Sequence, residues 1–246
     1  MKKILFAVLC YAVLWVCCNF FETQKNNSTS KESETTAVTD FPQTANPTKT
    51  PTSKPTATPK PTATPTPMPQ DINPILVYSF SGDGDDVIVD VYIGSGSFVK
   101  FTCLDDRHKH LKAHHDNDYE LLVNESEPYT GCTFLEDCYD TNVMFEINAT
   151  GKWTLDVYCL GFSTSDSFSG KGDFVTPIFA PSSQVYEIKC PTNRYFCVKG
   201  YYGNFDYDLL VNEIAPYSGK ILFKPYGDYA FFTIESSGEW SITPVK

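Results

Sequence analysis

Large apolar side chains recur at every second position in short runs through the C-terminal two thirds of the chain. Trp153, Leu155 and Val157 alternate with Lys152, Thr154 and Asp156, and Phe145 and Ile147 flank Glu146. Phe232 and Ile234, then Trp240 and Ile242, repeat that arrangement. A period of two places alternate side chains on opposite faces of an extended chain, so each run predicts a strand with one buried face. Asn148-Ala149-Thr150-Gly151 and Ser236-Ser237-Gly238 lie between paired runs and have the polar, glycine-bearing chemistry of hairpin connections. Strand candidates return about every 8–12 residues with no helical apolar stripe between them, the spacing of an antiparallel β-sandwich.

The pattern occurs twice. Asp118 to Gly131 reads DYELLVNESEPYTG and Asp206 to Gly219 reads DYDLLVNEIAPYSG, identical at ten of fourteen positions. SFSGDGDDV from Ser79 answers SFSGKGDFV from Ser167, and Gly151-Lys152-Trp153 answers Gly238-Glu239-Trp240. One folding unit is therefore duplicated, with repeat 1 at 73–160 and repeat 2 at 161–246. The predicted class is all-β: two tandem antiparallel β-sandwiches, Ig-like or jelly-roll-like, each with one tryptophan in its core. Pro128-Tyr129 and Pro216-Tyr217, each followed by Gly131 or Gly219, predict a strand corner, while Leu160 to Phe168 is too short to separate the units widely.

The preceding chain has a different character. Residues 1–21 join Lys2 and Lys3 to an apolar run from Ile4, the layout of an export signal or membrane anchor. Cys17 and Cys18 are candidate lipidation sites of a lipoprotein signal, and the run is also near the lower length limit for an uncleaved membrane-spanning anchor. Either arrangement holds the remainder at the cell surface, and cleavage with release, the third outcome such a segment allows, also places it outside the cytoplasm. Residues 22–72 form a Thr/Pro-rich linker with too few apolar side chains to build a core, expected to be a disordered, extended tether.

From Asp71 onward the chain carries 26 Asp/Glu against 12 Lys/Arg, which argues against a nucleic-acid partner because such binding requires phosphate neutralisation. Six cysteines lie in this part, an even number suited to an oxidising compartment. Cys190 and Cys197 flank a short turn and are the candidate disulfide; buried free thiols are the other reading.

The signature F-SG-x-GD-x-V, LLVNE-x-x-PY-[ST]-G and G-x-W-x-I resembles repeats in uncharacterised exported proteins and lipoproteins of Gram-positive bacteria, covering Ser79 to Tyr158 and Ser167 to Val245. A looser similarity links the units to β-sandwich appendages behind secreted peptidases. These resemblances imply a β-rich fold, a surface location and an accessory role, with no catalytic residues.

Candidate chemistry is sparse. All four histidines, His108, His110, His114 and His115, fall within one octet. On a strand His108, His110 and His114 share the face opposite Leu111 and Ala113, so His108 and His110 could chelate one metal beside a carboxylate. A solvated outer face is the alternative. Asp83, Asp85 and Asp86 read either as an oxygen-rich calcium loop or, with the repeated Ser-Gly-x-Gly-Asp, as a strand-opening turn. In repeat 2, Tyr195 and Tyr201 are assigned to the outer face, where they would either stack on sugar rings or cover the contact with repeat 1. No nucleophile elbow, zinc-protease motif or phosphate loop appears, and no cofactor is expected. The sequence therefore predicts a tethered, non-catalytic binding or scaffolding protein whose partners are the membrane and a cell-wall glycan or surface protein. A purely structural surface domain and a carboxylate-dependent hydrolase are the competing classes.

Overall fold

The computed structural model describes residues 71–192, 194–214 and 216–245, and within them every regular element is a strand. The expected export segment, the lipidation candidates Cys17 and Cys18, and the linker through Gln70 lie outside the described residues. Repeat 1 contains β1 (Ile75–Asp83), β2 (Asp86–Ile93), β3 (Ser97–Cys103), β4 (Lys109–His115), β5 (Asp118–Glu125), β6 (Tyr129–Phe134), β7 (Thr141–Asn148) and β8 (Lys152–Cys159). Repeat 2 follows with β9 (Phe168–Lys171), β10 (Phe174–Val175), β11 (Gln184–Cys190), β12 (Tyr195–Tyr202), β13 (Asp206–Ile214), β14 (Tyr217–Phe223), β15 (Ala230–Ser236) and β16 (Glu239–Pro244).

The strand orders are β1-β8-β3-β6 and β2-β7-β4-β5 in repeat 1, with β9-β16-β11-β14 and β10-β15-β12-β13 in repeat 2. First pairs with last, second with seventh, third with sixth and fourth with fifth, all antiparallel. That is a hairpin ribbon folded over on itself, the jelly-roll arrangement rather than an Ig-like one. Apolar alternation closes each pair of sheets over its own core, around Phe101, Leu111, Phe145 and Trp153 in repeat 1 and around Tyr186, Val198, Phe232 and Trp240 in repeat 2.

The repeated motifs explain one another structurally. Gly82 and Gly170 lie against the tryptophan rings, where an added Cβ would overlap Trp153 or Trp240. Gly84 (φ 85°) and Gly172 (φ 78°) take the left-handed conformation that glycine tolerates. Their carbonyls accept the indole N–H of Trp153 and Trp240, each at 2.9 Å. Asp85 and Asp173 accept the backbone N–H of Ala149 and Ser236 and so fix the facing hairpin. Gly131 and Gly219 leave room for the hydroxyls of Tyr129 and Tyr217 two residues earlier. Ser-Gly-x-Gly-Asp is thus a strand-opening turn, tied to the tryptophan almost seventy residues downstream.

Strict alternation fails at one place that the two repeats share, in addition to the β1–β8 and β2–β7 register shifts of repeat 1. The β4–β5 register shifts between Leu111 and Lys112, and the β12–β13 register shifts between Val198 and Lys199. The bulge turns both Leu122 and Val123, and both Leu210 and Val211, toward the core. Tyr119 and Leu121, like Tyr207 and Leu209, consequently face solvent.

Two expectations are corrected here. Cys190 and Cys197 are free thiols rather than a disulfide, because β11 and β12 belong to different sheets and their connection crosses the sandwich instead of turning a hairpin. Cys190 lies in the core with its sulfur near the Ser236 hydroxyl. The linker, predicted through residue 72, ends earlier: Ile72 exchanges backbone hydrogen bonds with Phe162, and the Asp71 carboxylate accepts from Thr164.

Candidate functional site

A third apolar cluster joins the two sandwiches. Phe98 and Phe134 of repeat 1 meet Val175, Ile178, Tyr201, Tyr229 and Phe231 of repeat 2. Tyr201 stacks on Phe231 with ring centroids 4.9 Å apart and an interplanar angle of 6°, and the Phe134 ring lies 4.9 Å from the same Phe231 edge-on. Burial of this many rings, with geometry favourable to aromatic pairing, makes the repeats one unit rather than beads on a string.

Polar groups ring that cluster. The Glu136 carboxylate accepts from Lys199 Nζ at 2.6 Å and from the Tyr201 hydroxyl. Burial opposes the charge on Lys199, but the Glu136 carboxylate outweighs it and holds the lysine pKa above its ordinary value. Burial also pushes the Tyr201 phenol far up, helped by that same carboxylate. Asp173, at the turn between β9 and β10, reaches across to repeat 1: its carboxylate accepts the Tyr129 hydroxyl at 2.8 Å and its carbonyl accepts the Cys132 N–H at 3.0 Å. Arg194 pairs with Glu127 at the periphery, at 3.3 Å.

Beside this seam runs a cleft of about 420 Å³. One wall is the whole run Glu120 to Glu125 of β5, an outermost strand of its sheet, and the facing wall is Lys199 with Thr233 to Glu235. Acidic groups dominate: Glu120, Glu125, Glu136, Asp137, Asp173 and Glu235 all border it. Burial raises Glu120 to about 7, despite hydrogen bonds from the Glu136 N–H and the Cys138 thiol, and also raises Asp173 and Glu235. Carboxyls pushed up by burial in a concavity are the kind of feature that marks binding and catalytic sites.

The outer face of repeat 1 holds the histidines. Glu146 on β7 gathers His110 Nε2 at 3.2 Å, His114 Nε2 at 2.8 Å and Lys112 Nζ at 3.2 Å. These partners, His114 first, lower the Glu146 pKa to about 2. The proposed pairing of His108 with His110 is not realised. His108 precedes β4 and lies near the Ser126 hydroxyl, its ring 6.2 Å from that of His110, while His110 turns to Glu146 beside the Lys112 ammonium. Among the described residues no group of three or more His, Cys, Asp or Glu could hold a metal ion.

The tyrosine pair is divided in the same way. Tyr195 is 45% exposed, but Tyr201 is only 1% exposed, because the outer face of its sheet is the face that repeat 1 covers. Of the two roles open to these rings, Tyr201 takes interface cover. The exposed aromatics that the alternation pattern did not single out include Tyr119 and Tyr207, 53% and 48% exposed, with Lys112 Nζ 5.2 Å and Lys199 Nζ 4.9 Å from the ring centroids. The signal for them was present: Lys112 and Lys199 are the one identity between β4 and β12, and each lies over the repeated tyrosine. The acidic cleft left no local motif, since its residues come from β5, the segment after β6, β12 and β15. Comparison with known proteins finds no family model that matches the chain and no matching curated protein, so its function rests on its own geometry.

Proposed function

We propose that the chain is an exported, membrane-tethered, non-catalytic binding module that receives an extended, cationic segment of a partner protein in the cleft between its repeats. The observation that carries this reading is the coincidence of a sheet edge with a wall of carboxylates. Six consecutive residues of β5 border the cleft, and an outermost strand offers main-chain donors and acceptors to an added strand. The surrounding carboxylates favour lysine or arginine side chains on that strand, as does the acidic balance of the whole globular part. Glu136 and Asp173 are engaged by donors that hold the seam together, and Glu120 by the Glu136 N–H within repeat 1, which favours recognition over hydrolysis. The tether and membrane anchor would present this cleft to the wall or the medium.

Fluorescence anisotropy with a labelled octapeptide alternating Lys with Thr and Val tests the reading on the full chain. Saturable binding with Kd on the order of 10–100 µM is expected, weakened about tenfold by Glu125→Gln with Asp137→Asn and by proline at alternate peptide positions. Equal binding of the proline-interrupted peptide would exclude edge pairing, and no binding of the parent peptide would exclude the cleft.

A second reading is supported by the repeated lysine-capped tyrosines. Tyr119 with Lys112, and Tyr207 with Lys199, present an aromatic face at the same place on each repeat, as a polymeric glycan with two spaced contacts would require. Glycan-array binding that survives Tyr119→Ala with Tyr207→Ala would remove it.

A further inference from the structure

The seam between the repeats is a head-to-tail contact: the two copies contribute different surfaces. Repeat 1 offers the edge of β6, where Gly131 leaves space for Asp173, Tyr129 donates its hydroxyl and Cys132 its N–H. Repeat 2 offers the β9–β10 turn. Both surfaces exist a second time at the outer ends of the molecule, because each repeat carries both. The β14 edge of repeat 2 has Tyr217, Gly219 and Lys220 in the places of Tyr129, Gly131 and Cys132. The atoms nearest the position a Gly219 Cβ would take all belong to Tyr217, whereas at Gly131 Asp173 is also among them. A hollow of about 470 Å³ lined by Tyr217, Pro216, Pro191 and Trp240 adjoins it. At the opposite end, the β1–β2 turn has Gly84 and Asp85 in the places of Gly172 and Asp173. Asp85 uses one carboxylate oxygen for Ala149 just as Asp173 uses one for Ser236, leaving Oδ2 in the position from which Asp173 takes the Tyr129 hydroxyl.

We propose that this face receives a second copy of the chain: the Asp83–Asp86 turn of one molecule docks on the Tyr217–Lys220 edge of another, reproducing the internal seam between molecules. The charges at the two ends support this occupant. Relative to the seam, the turn changes from Lys171 and Phe174 to Asp83 and Asp86, while the receiving edge changes from Lys100, Thr102 and Cys132 to Glu187, Lys189 and Lys220, with Lys189 Nζ 2.7 Å from Glu187. The flank changes in a mixed sense: Glu136 and the Lys199 it pairs with across the seam become Lys224 and Lys112, while Thr233, beside Lys199, becomes Glu146. Summed over these positions the turn side gains negative charge and the receiving side gains positive charge, although the Glu136–Lys199 pair itself is not reproduced. The aromatic cluster is not reproduced: Phe134, Tyr158, Tyr201 and Phe231 give way to Leu222, Val245, His114 and Met144. The intermolecular contact is therefore much weaker than the seam and suited to chains concentrated on one membrane, where it would propagate as an open row, since a head-to-tail contact closes only if its rotation does.

The test uses the full chain reconstituted in phosphatidylcholine/phosphatidylglycerol vesicles, as an equal mixture of natural and nitrogen-15-labelled protein. Zero-length carbodiimide coupling joins carboxylates to amines in contact, and mixed-isotope peptides identify links between molecules. Links from Asp83, Asp85 or Asp86 to Lys189 or Lys220 are expected. Lys220→Glu should lower the yield of the links to Lys189 about tenfold, and Lys220→Glu combined with Asp86→Lys should restore association, read as mixed-isotope links between the two substituted positions. Mixed-isotope links confined to other residues, none at all, or an unchanged yield in Lys220→Glu would overturn the proposal.

Discussion

The sheet β2-β7-β4-β5 of repeat 1 and its counterpart β10-β15-β12-β13 of repeat 2 share strand order, the bulge opposite their outermost strand and a buried inner face, yet their outer faces do opposite things. Lys112 and Lys199 occupy one equivalent position. The first reaches Glu146 of its own sheet in a solvated cluster with His110 and His114, and the second reaches Glu136 of the other repeat across a buried aromatic seam. His114 and Tyr201 are likewise equivalent, one half-exposed and one buried. The inward residues keep their apolar character in both copies because each sandwich must close its own core. The outward residues diverged because one face met a neighbour and the other met water. A sheet face is thus reassigned from solvent to interface without changing the fold beneath it.

The largest effect that would test this division lies in the cores. Trp153→Ala and Trp240→Ala should each destabilise by about 3–5 kcal/mol in denaturant unfolding, nearly equally. A difference beyond ~2 kcal/mol would show that the two cores are not equivalent. Next come the outer faces. Phe231→Ala, at the seam, should cost about 3–4 kcal/mol and split the unfolding transition, while the equivalent Met144→Ala should cost below ~1 kcal/mol, because only the first leaves a cavity.

Glu120 supplies a pH test of the cleft. Its folded pKa of about 7 lies above the ordinary 4.5, so the folded state holds the proton more tightly than the unfolded chain. That contribution is complete below pH 4.5 and is lost as pH rises to 7, up to ~3 kcal/mol at about 1.36 kcal/mol per unit. Glu120→Gln should therefore gain stability relative to wild type progressively between those limits in parallel urea titrations; a difference flat with pH would break the assignment. A smaller contrast compares Tyr129→Phe with Tyr217→Phe. The first strips a donor from the buried Asp173 carboxylate and should cost about 1–2 kcal/mol, and the second should cost a few tenths at most in thermal melts. Smallest of all, Glu146→Gln removes solvent-exposed ion pairs and should leave the urea midpoint unchanged at moderate salt; a clear drop there would show that the histidine face supports the fold.

Much of the fold was legible in the chain because each repeat is written twice. Period-two alternation marked the strands around Phe145, Trp153, Phe232 and Trp240, and the paired motifs marked two copies of one unit. The misreadings share a cause. Cys190 and Cys197 are close in sequence, which suggested a hairpin, but strand neighbours in a jelly roll are set by the folding over of the whole ribbon. His108 and His110 sit on one side of the chain as an alternating pattern suggests, yet where their rings turn depends on Glu146, more than thirty residues away on the next strand.

The sequence by itself determined that two equivalent all-β units exist, which residues seal each core, and that the glycine, aspartate and tryptophan motifs repeat together, because these depend on local geometry and on burial within one unit. Only the tertiary structure decided that Tyr201 is buried while Tyr195 is not, that Glu136 holds Lys199 across the seam, and that the carboxylates of β5 and β15 face one another. Those outcomes depend on how one closed sandwich docks against the next, and the docking energy is distributed over rings and charges from distant segments that no local pattern connects.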